Sequence, residues 1–173
     1  MNNVELANSV LTDVKAQKRD NARKTIQLLL DNNAELGNNW GGITRLAVSI
    51  GEFSLAINAS KRYLAVAPNE TKRIIQCAAI LAECREITTA VNLVTPLLNK
   101  QRPPDILHFL GTVHSQIGNL ELAKEYLVEL LKIAPKAAIS WLTLAAIHTF
   151  TTEDELYQQL MSLTAFFKKN NKA

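Results

Sequence analysis

A pattern that repeats along the chain limits the folds that this sequence can adopt. Residues 51–56, Gly-Glu-Phe-Ser-Leu-Ala, align with residues 118–123, Gly-Asn-Leu-Glu-Leu-Ala. Each stretch continues into a helical apolar pattern and then into an Ala-Pro pair, at 67–68 and at 134–135. The glycines, the alanines and the prolines are all separated by 67 residues, and three matches in one register indicate an internal repeat.

The 67-residue offset contains two units, because a middle copy lies between the two matching stretches. Ala90 is 34 residues after Ala56 and 33 residues before Ala123. A large apolar residue opens the first helix of each unit at the same register, at Trp40, Ile74, Leu107 and Trp141. We therefore predict five helix pairs: a degenerate N-terminal pair in 1–36, repeats in 37–70, 71–103 (degenerate) and 104–137, and a C-terminal pair or partial repeat in 138–173.

The unit resembles the tetratricopeptide repeat (TPR) of about 34 residues. The resemblance is clearest in residues 104–137, at Leu107, Leu110, Gly111, Gly118, Leu120, Ala123, Leu127, Leu130 and Pro135. Residues 37–70 match at Trp40, Ile43, Gly51, Phe53, Ala56, Tyr63 and Pro68, whereas Arg85 replaces the turn glycine in 71–103. The resemblance implies an all-α fold, a right-handed superhelical stack of antiparallel helix pairs.

Several signature residues have a physical reason. The small residues Ala78, Gly111 and Ala145 are expected to let the first helix of a pair lie close to the second. Gly51 and Gly118 are expected to take a positive φ that ends one helix and starts the turn. Pro96 falls inside a predicted second helix, from about Thr89 to Lys100, where we expect a kink or a break.

Composition excludes several classes of function. Hydrophobic residues make up 47% of the chain, which is enough for a buried core. The net charge of +3 comes from mixed signs, so we expect no nucleic-acid partner. The first residues lack the basic and apolar stretches of a signal peptide, and no apolar run approaches the length of a membrane span. We predict a cytoplasmic protein with no membrane partner.

The sequence contains no motif for catalysis, for a cofactor or for a metal. His114 and His148 share a repeat position that is normally packed between helices, so we interpret both as structural. Cys77, at a core position, and Cys84 are interpreted as small hydrophobes, and Trp40 and Trp141 as core residues. We predict that the protein is not an enzyme, that no residue is catalytic, and that it needs neither cofactor nor metal.

The resemblance also implies a function. In TPR proteins the first helices line a concave groove that holds a peptide or a helix of a partner. The matching inward positions here are Asn38, Arg45, Ser49, Lys72, Ile75, Ala79, Glu83, His108, Thr112 and Gln116. We therefore predict a non-catalytic scaffold that binds a peptide or partner protein in this groove, with His108 equally compatible with a structural role.

One specialised use of such a groove is not expected. Some TPR proteins hold the C-terminal carboxylate of heat-shock chaperones with Lys and Asn side chains. The matching positions here are Gly41, Arg45, Gln76, Asp105 and Phe109. An acidic and an aromatic residue where two cations are required predict that such a tail does not bind.

Three alternatives remain open. Residues 139–163 resemble the junction after the last repeat of bacterial TPR sulfotransferases, so the chain could be the accessory, substrate-presenting region of such an enzyme, although no phosphosulfate-binding loop occurs in it. The basic residues Lys15, Lys18, Arg19, Arg23 and Lys24 could bind an acidic partner, with a solvated helix face as the other reading. The terminal helices could support weak self-association.

Overall fold

The computed structural model describes residues 2–99 and 102–170, and every regular element within them is a helix. The chain divides after Pro96 into two compact units. In chain order the helices are α1 (Asn3–Lys15), α2 (Arg19–Asp31), α3 (Trp40–Ser49), α4 (Phe53–Val66), α5 (Thr71–Glu83), α6 (Ile87–Val94), α7 (Pro104–Gln116), α8 (Leu120–Ile133), α9 (Ala138–Ala145), α10 (Glu155–Ser162) and α11 (Thr164–Asn170). Short 3-10 helices occupy Gly37–Asn39 and Thr95–Asn99.

The boundaries of the five predicted segments stay a prediction. Residues 100 and 101, at the end of the segment 71–103, lie outside the described residues, as do residues 171–173 at the end of 138–173.

The first unit is built from helices that pack in consecutive pairs. α1 packs on α2, α3 on α4 and α5 on α6, because short turns bring each helix back against the one before it. The first helices of the pairs also contact one another, α1 with α3 and α3 with α5. We call the side formed by α1, α3 and α5 the first-helix face. Apolar residues at helical spacing fill the interior, among them Val10, Ile26, Leu29, Trp40 and Ala56.

The turns that follow α3, α5 and α7 share one backbone conformation. Gly51 has φ of 73° and Gly118 has φ of 79°, as predicted for the glycines of this turn. Arg85 occupies the same position after α5 with φ of 67°. The turn is therefore kept in the pair where the glycine has been replaced, with an arginine in the left-handed region that disfavours side chains.

In the second unit, α7 and α8 pack closely because Gly111 lacks a side chain. A Cβ atom at Gly111 would lie 2.7 Å from Cγ of Leu127. α9 packs on both α7 and α8 and contributes Trp141 and Leu144 to the core. Ala145 is exposed, so the prediction that it provides a close helix contact is wrong. It is the last residue of α9, beyond the buried stripe of that helix.

The predicted break at Pro96 is confirmed. α6 ends at Val94, and the chain continues as the 3-10 helix Thr95–Asn99. Proline cannot donate a backbone hydrogen bond and its ring collides with the preceding turn, which ends the α-helix here. None of the helices in the described part of the chain has the length and hydropathy that crossing a bilayer requires.

Candidate functional site

A cavity of about 190 Å³ opens on the first-helix face of the first unit, between α3 and α5. Three residues predicted for the binding groove, Arg45 on α3 and Ala79 and Glu83 on α5, line the same cavity. Arg45 and Glu83 are exposed, and neither forms an ion pair with any other described residue. The remaining lining is Gly41, Thr44, Ser60, Tyr63, Gln76, Cys77 and Ile80. The structure thus brings one cation and one anion to the same opening.

Tyr63 of α4 and Gly41 of α3 set the shape of one wall. A Cβ atom at Gly41 would lie 3.1 Å from Cε2 and Cζ of the Tyr63 ring, so the ring approaches the backbone of α3 more closely than a larger residue permits. The Tyr63 hydroxyl donates to Oε1 of Gln76 at 3.0 Å. This bond joins the wall to α5.

Arg73 packs against Tyr63 and supports this wall. Its side chain is buried, and its guanidinium carbon lies 4.4 Å from the centre of the Tyr63 ring. Nη1 donates to the backbone oxygen of Tyr63 at 3.1 Å, Nε to Oε2 of Glu70 at 3.0 Å, and Nη2 to Oδ1 of Asn38 at 2.9 Å. Asn38, which was predicted to face a ligand, is therefore a partner of this buried arginine.

Three other groove residues predicted for the first unit, Ser49, Lys72 and the half-buried Ile75, lie away from the cavity lining. Ser49 is exposed, and its hydroxyl donates to the backbone oxygen of Leu46 at 2.8 Å. Lys72 is exposed near the start of α5. Ser49 and Lys72 are solvent-accessible, and no contact of the described residues gives either one a ligand-binding geometry.

The cysteine at the bottom of the cavity is uncharged at neutral pH. Burial raises the pKa of the Cys77 thiol to about 11, and the nearby charge of Arg73 only partly opposes this effect. The thiol donates to the backbone oxygen of Ser60 at 3.6 Å. Burial also raises the pKa of Cys84, and the charges of Glu83 and Glu86 act in the same direction. Both cysteines are free and buried, which agrees with their interpretation as small hydrophobes.

The second unit carries a different surface on α7 and α9. A cavity of about 410 Å³ lies beside Asp105, His108, Ile139 and Ser140. Nδ1 of His108 is 3.0 Å from Oγ of Ser140, and burial lowers the pKa of His108 although Asp105 opposes this effect. Ile139 is 68% exposed and Leu142 is 71% exposed, so this surface is mainly apolar.

The two other groove residues predicted for α7 differ in their surroundings. Thr112 is half-buried, and its hydroxyl oxygen has no hydrogen-bond partner among the described residues. Gln116 is exposed at the end of the helix. Of the predicted groove residues in this unit, only His108 lines the cavity.

The other histidines and the tryptophans take part in packing. His114 is buried and stacks on Tyr126 with ring centroids 5.8 Å apart, and burial lowers its pKa. Nε2 of His148 lies 2.5 Å from Oδ2 of Asp154, the residue that caps α10. Trp40 and Trp141 are each 3% exposed, which confirms that they are core residues.

A third cavity, of about 500 Å³, lies between α2 and α4 of the first unit. Arg23 and Lys24 line it together with the acidic side chains of Asp31 and Glu52. Arg19, another member of the predicted basic group, forms an ion pair with Glu52 at 3.0 Å. The positive charge at this surface is therefore partly neutralised, which favours the interpretation as a solvated helix face.

Sequence reasoning did not assign Tyr63 or Gln76 to the site. Tyr63 was treated as a repeat signature residue, and its position at the cavity follows from the buried Arg73 of another helix. Gly41 and Gln76 occupy two of the positions that match the chaperone-binding residues of some TPR proteins. The comparison with those residues therefore contained a signal for both.

Neither a protein-family model nor a curated protein matches this sequence, but solved structures of similar fold do. MamA (41-end) from Desulfovibrio magneticus RS-1 aligns with a TM-score of 0.62 at 11% identity, over 98% of this chain and 96% of that chain. A tetratricopeptide repeat protein from Parabacteroides merdae aligns with 0.60 at 15%, over 84% and 58%. A thermophilic TPR protein of Thermus thermophilus aligns with 0.57 at 17%, over 85% and 81%.

At these identities the likeness concerns the fold alone. The predicted all-α, TPR-like fold class is confirmed. The predicted resemblance of residues 139–163 to sulfotransferases finds no support in these comparisons.

Proposed function

We propose that this protein is a non-catalytic interaction scaffold that binds a peptide segment of a partner protein on the first-helix face of its first unit. The observation that carries the proposal is the cavity between α3 and α5, where Arg45 and Glu83 have no ionic partner among the described residues. An exposed guanidinium can donate to peptide carbonyl oxygens, and a carboxylate can accept from peptide N–H groups. Both main-chain groups recur at every residue of an extended peptide.

The size of the cavity favours a peptide over a small-molecule substrate. Pockets for complete small ligands enclose about 300–1,000 Å³, whereas this cavity has about 190 Å³. It therefore suits one side chain of a longer ligand, whose main chain would lie across the face formed by α3 and α5.

The chemistry of the nearby side chains argues against catalysis. The buried thiols carry raised pKa values, and a protonated thiol is a poor nucleophile. His108 lies within hydrogen-bond distance of the Ser140 hydroxyl, but Ser140 is only 3% exposed and a substrate cannot reach it. The alternative role as an accessory region of a sulfotransferase has no contact or comparison in its favour.

The remaining expectations from the sequence belong to the same proposal. Ser49 and Lys72 in the first unit, and His108, Thr112 and Gln116 in the second, are proposed as further contacts of a partner. A cytoplasmic location, a partner that is neither nucleic acid nor membrane, and weak self-association through the terminal helices stay predictions.

The proposal is tested by selecting binding peptides from a random library on the whole chain and measuring their affinity for variants. Arg45→Glu and Ala79→Phe should each weaken binding at least about tenfold, because the first reverses the rim charge and the second fills the cavity. Arg23→Glu, at the cavity between α2 and α4, is the matched control and should leave affinity unchanged. Peptides that respond to Arg23→Glu but not to the other two variants would refute the proposed site.

A further inference from the structure

The geometry points to a ligand chemistry for the cavity between α3 and α5: we propose that it takes the carboxamide side chain of a glutamine or asparagine in the bound peptide. This inference rests on the proposed function, because it names the group that the first-helix face recognises. It follows from the hydrogen bonds that the lining residues have already formed and from those that they have left open.

The hydroxyl groups in the lining have already donated their protons. Thr44 Oγ1 donates to the backbone oxygen of Trp40 at 2.8 Å, and Ser60 Oγ donates to that of Ile57 at 2.9 Å. The hydroxyl of Tyr63 donates to the side-chain amide described above. A hydroxyl that has donated its only proton can offer a ligand nothing but lone pairs. Thr44 and Ser60 are each only 2% exposed, so the acceptor that a ligand can reach here is the hydroxyl oxygen of the half-buried Tyr63, which it meets with an N–H group.

Gln76 provides the complementary donor. Its Oε1 accepts from the Tyr63 hydroxyl, so Nε2, the end of the amide that carries hydrogen atoms, takes no part in this bond. No described residue accepts a hydrogen bond from Nε2, and Gln76 is half-buried beside the cavity. The cavity thus presents lone pairs together with one N–H₂ donor. A primary carboxamide carries the matching pair, two N–H donors and one carbonyl acceptor.

The charges around the opening favour a neutral ligand over an ionised one. Arg45 and Glu83 have opposite signs at the rim, and the thiol of Cys77 is uncharged. A lysine ammonium would approach Arg45 and the buried guanidinium of Arg73 behind the Tyr63 ring. A carboxylate would approach Glu83 at the rim, and it would meet a Tyr63 hydroxyl that has no proton left to donate. A neutral amide is repelled by neither rim charge, and its binding does not require the desolvation of a full charge.

An apolar side chain of the same size is disfavoured for a different reason. It would cover the Gln76 amide without accepting its hydrogen bond, and a buried donor without a partner costs free energy. Sites that bind a ligand through hydrogen bonds discriminate strongly against analogues that lack the polar group.

The volume agrees with this assignment. A cavity of about 190 Å³ has the volume of about six molecules of liquid water at about 30 Å³ each. The side chain of glutamine, with its five non-hydrogen atoms, fits such a space, whereas a complete nucleotide does not.

The test uses N-acetyl-glutamine amide as the probe and two-dimensional amide NMR of the whole chain as the readout. Titration should shift the signals of Gly41, Gln76 and Ala79. The probe should bind at least about tenfold more tightly than N-acetyl-methionine amide, its apolar near-isostere, and more tightly than the N-acetyl amides of glutamate and lysine. Equal or tighter binding of any of these three competitors would overturn the inference, as would no saturable shift at the cavity.

Two variants separate recognition from folding. Gln76→Glu keeps an oxygen that accepts from the Tyr63 hydroxyl and removes the N–H₂ donor, so it should weaken glutamine binding at least about tenfold with little change in melting temperature. Gln159→Glu, on α10 of the second unit, is the matched control and should change neither. Unchanged affinity of Gln76→Glu for the probe would contradict the assignment.

The outcomes distinguish this inference from the proposed function. If the library yields peptides that depend on Arg45 and carry no enrichment of glutamine or asparagine, the carboxamide assignment is wrong and the scaffold proposal stands. If no library peptide binds while the probe titrates at the cavity, the scaffold proposal is wrong and the chemical assignment of the cavity stands.

Discussion

Arg85 shows how a single residue departs from the repeat while the backbone keeps it. Its φ of 67° matches the 73° of Gly51 and the 79° of Gly118. A residue with a side chain pays about 1–2 kcal/mol to adopt this conformation, whereas glycine adopts it freely but loses more entropy on folding. The turn is therefore fixed by the packing of α5 against α6 despite the local preference of Arg85.

Replacing Arg85 with glycine should accordingly raise the free energy of unfolding, by about 0.5–1 kcal/mol. The matched control is Gly118→Ala, where a Cβ atom would meet nothing within 4 Å and only backbone strain can act. It should lower the free energy of unfolding by about 1 kcal/mol. Urea denaturation measures both changes. A loss of stability in Arg85→Gly would show that the arginine side chain, and not the backbone, stabilises this turn.

His114 makes the stability of the chain depend on pH. Burial lowers its pKa in the folded state below the ordinary value of about 6.5. The unfolded chain then binds more protons than the folded chain as the pH falls below about 6.5, so the free energy of unfolding decreases in that range. The contribution of the neutral imidazole is fully present above this pH and is lost as the pH approaches the lowered value.

His114→Phe should flatten this dependence, because phenylalanine keeps the stacking on Tyr126 and cannot titrate. Urea denaturation between about pH 5 and pH 8 gives the slope. His108, whose pKa is also lowered by burial, should retain its part of the slope in this variant. An identical slope in the variant and the parent chain would mean that protonation of His114 does not affect folding.

At the scale of helices, two glycines within helices have opposite roles. A Cβ atom added to Gly42 in α3 would have no neighbouring atom within 4 Å, whereas one added to Gly111 in α7 would lie 2.7 Å from Leu127. Alanine is favoured over glycine in a helix by about 0.8–1.0 kcal/mol at either position. At Gly111 this gain is opposed by overpacking, which costs about 1–3 kcal/mol.

We therefore expect Gly42→Ala to raise the melting temperature and Gly111→Ala to lower it. The two substitutions add the same methyl group, so the difference between them measures the close contact of α7 with α8. Thermal unfolding followed by circular dichroism gives both values. Stabilisation by Gly111→Ala as large as that by Gly42→Ala would show that the helices separate easily and that the glycine is not required for packing.

The helices were predictable because they depend on local patterns, whereas the cavity was not. The break of the helix at Pro96 was predictable from the chemistry of proline. The burial of Trp40 and Trp141 was predictable from their spacing in the repeat. The prediction that a small residue marks a close helix contact failed at Ala145, which is the last residue of a short helix. The wall of the cavity depends on Arg73, which packs on Tyr63 ten residues away in sequence, and no periodicity contains this contact.

At the scale of the whole molecule, each unit carries residues that disfavour the binding of one well-defined class of ligand. Gly41 contributes no side chain and lies against Tyr63, while in the second unit Phe109 is buried and Asp105 is negative. A peptide that ends in the C-terminal sequence of a heat-shock chaperone should therefore not bind with micromolar affinity. Isothermal titration checks this, with the amidated peptide as the control. A micromolar dissociation constant that depends on the free carboxylate would contradict the prediction.

The central claim is that a peptide binds across α3 and α5 of the first unit. Amide NMR of the whole chain with a library-selected peptide tests it most directly. We predict that the largest shifts fall on Gly41, Arg45, Gln76, Ala79 and Glu83, around the cavity between these helices. Largest shifts at Arg23, Lys24 and Leu28, on the cavity between α2 and α4, would contradict the claim.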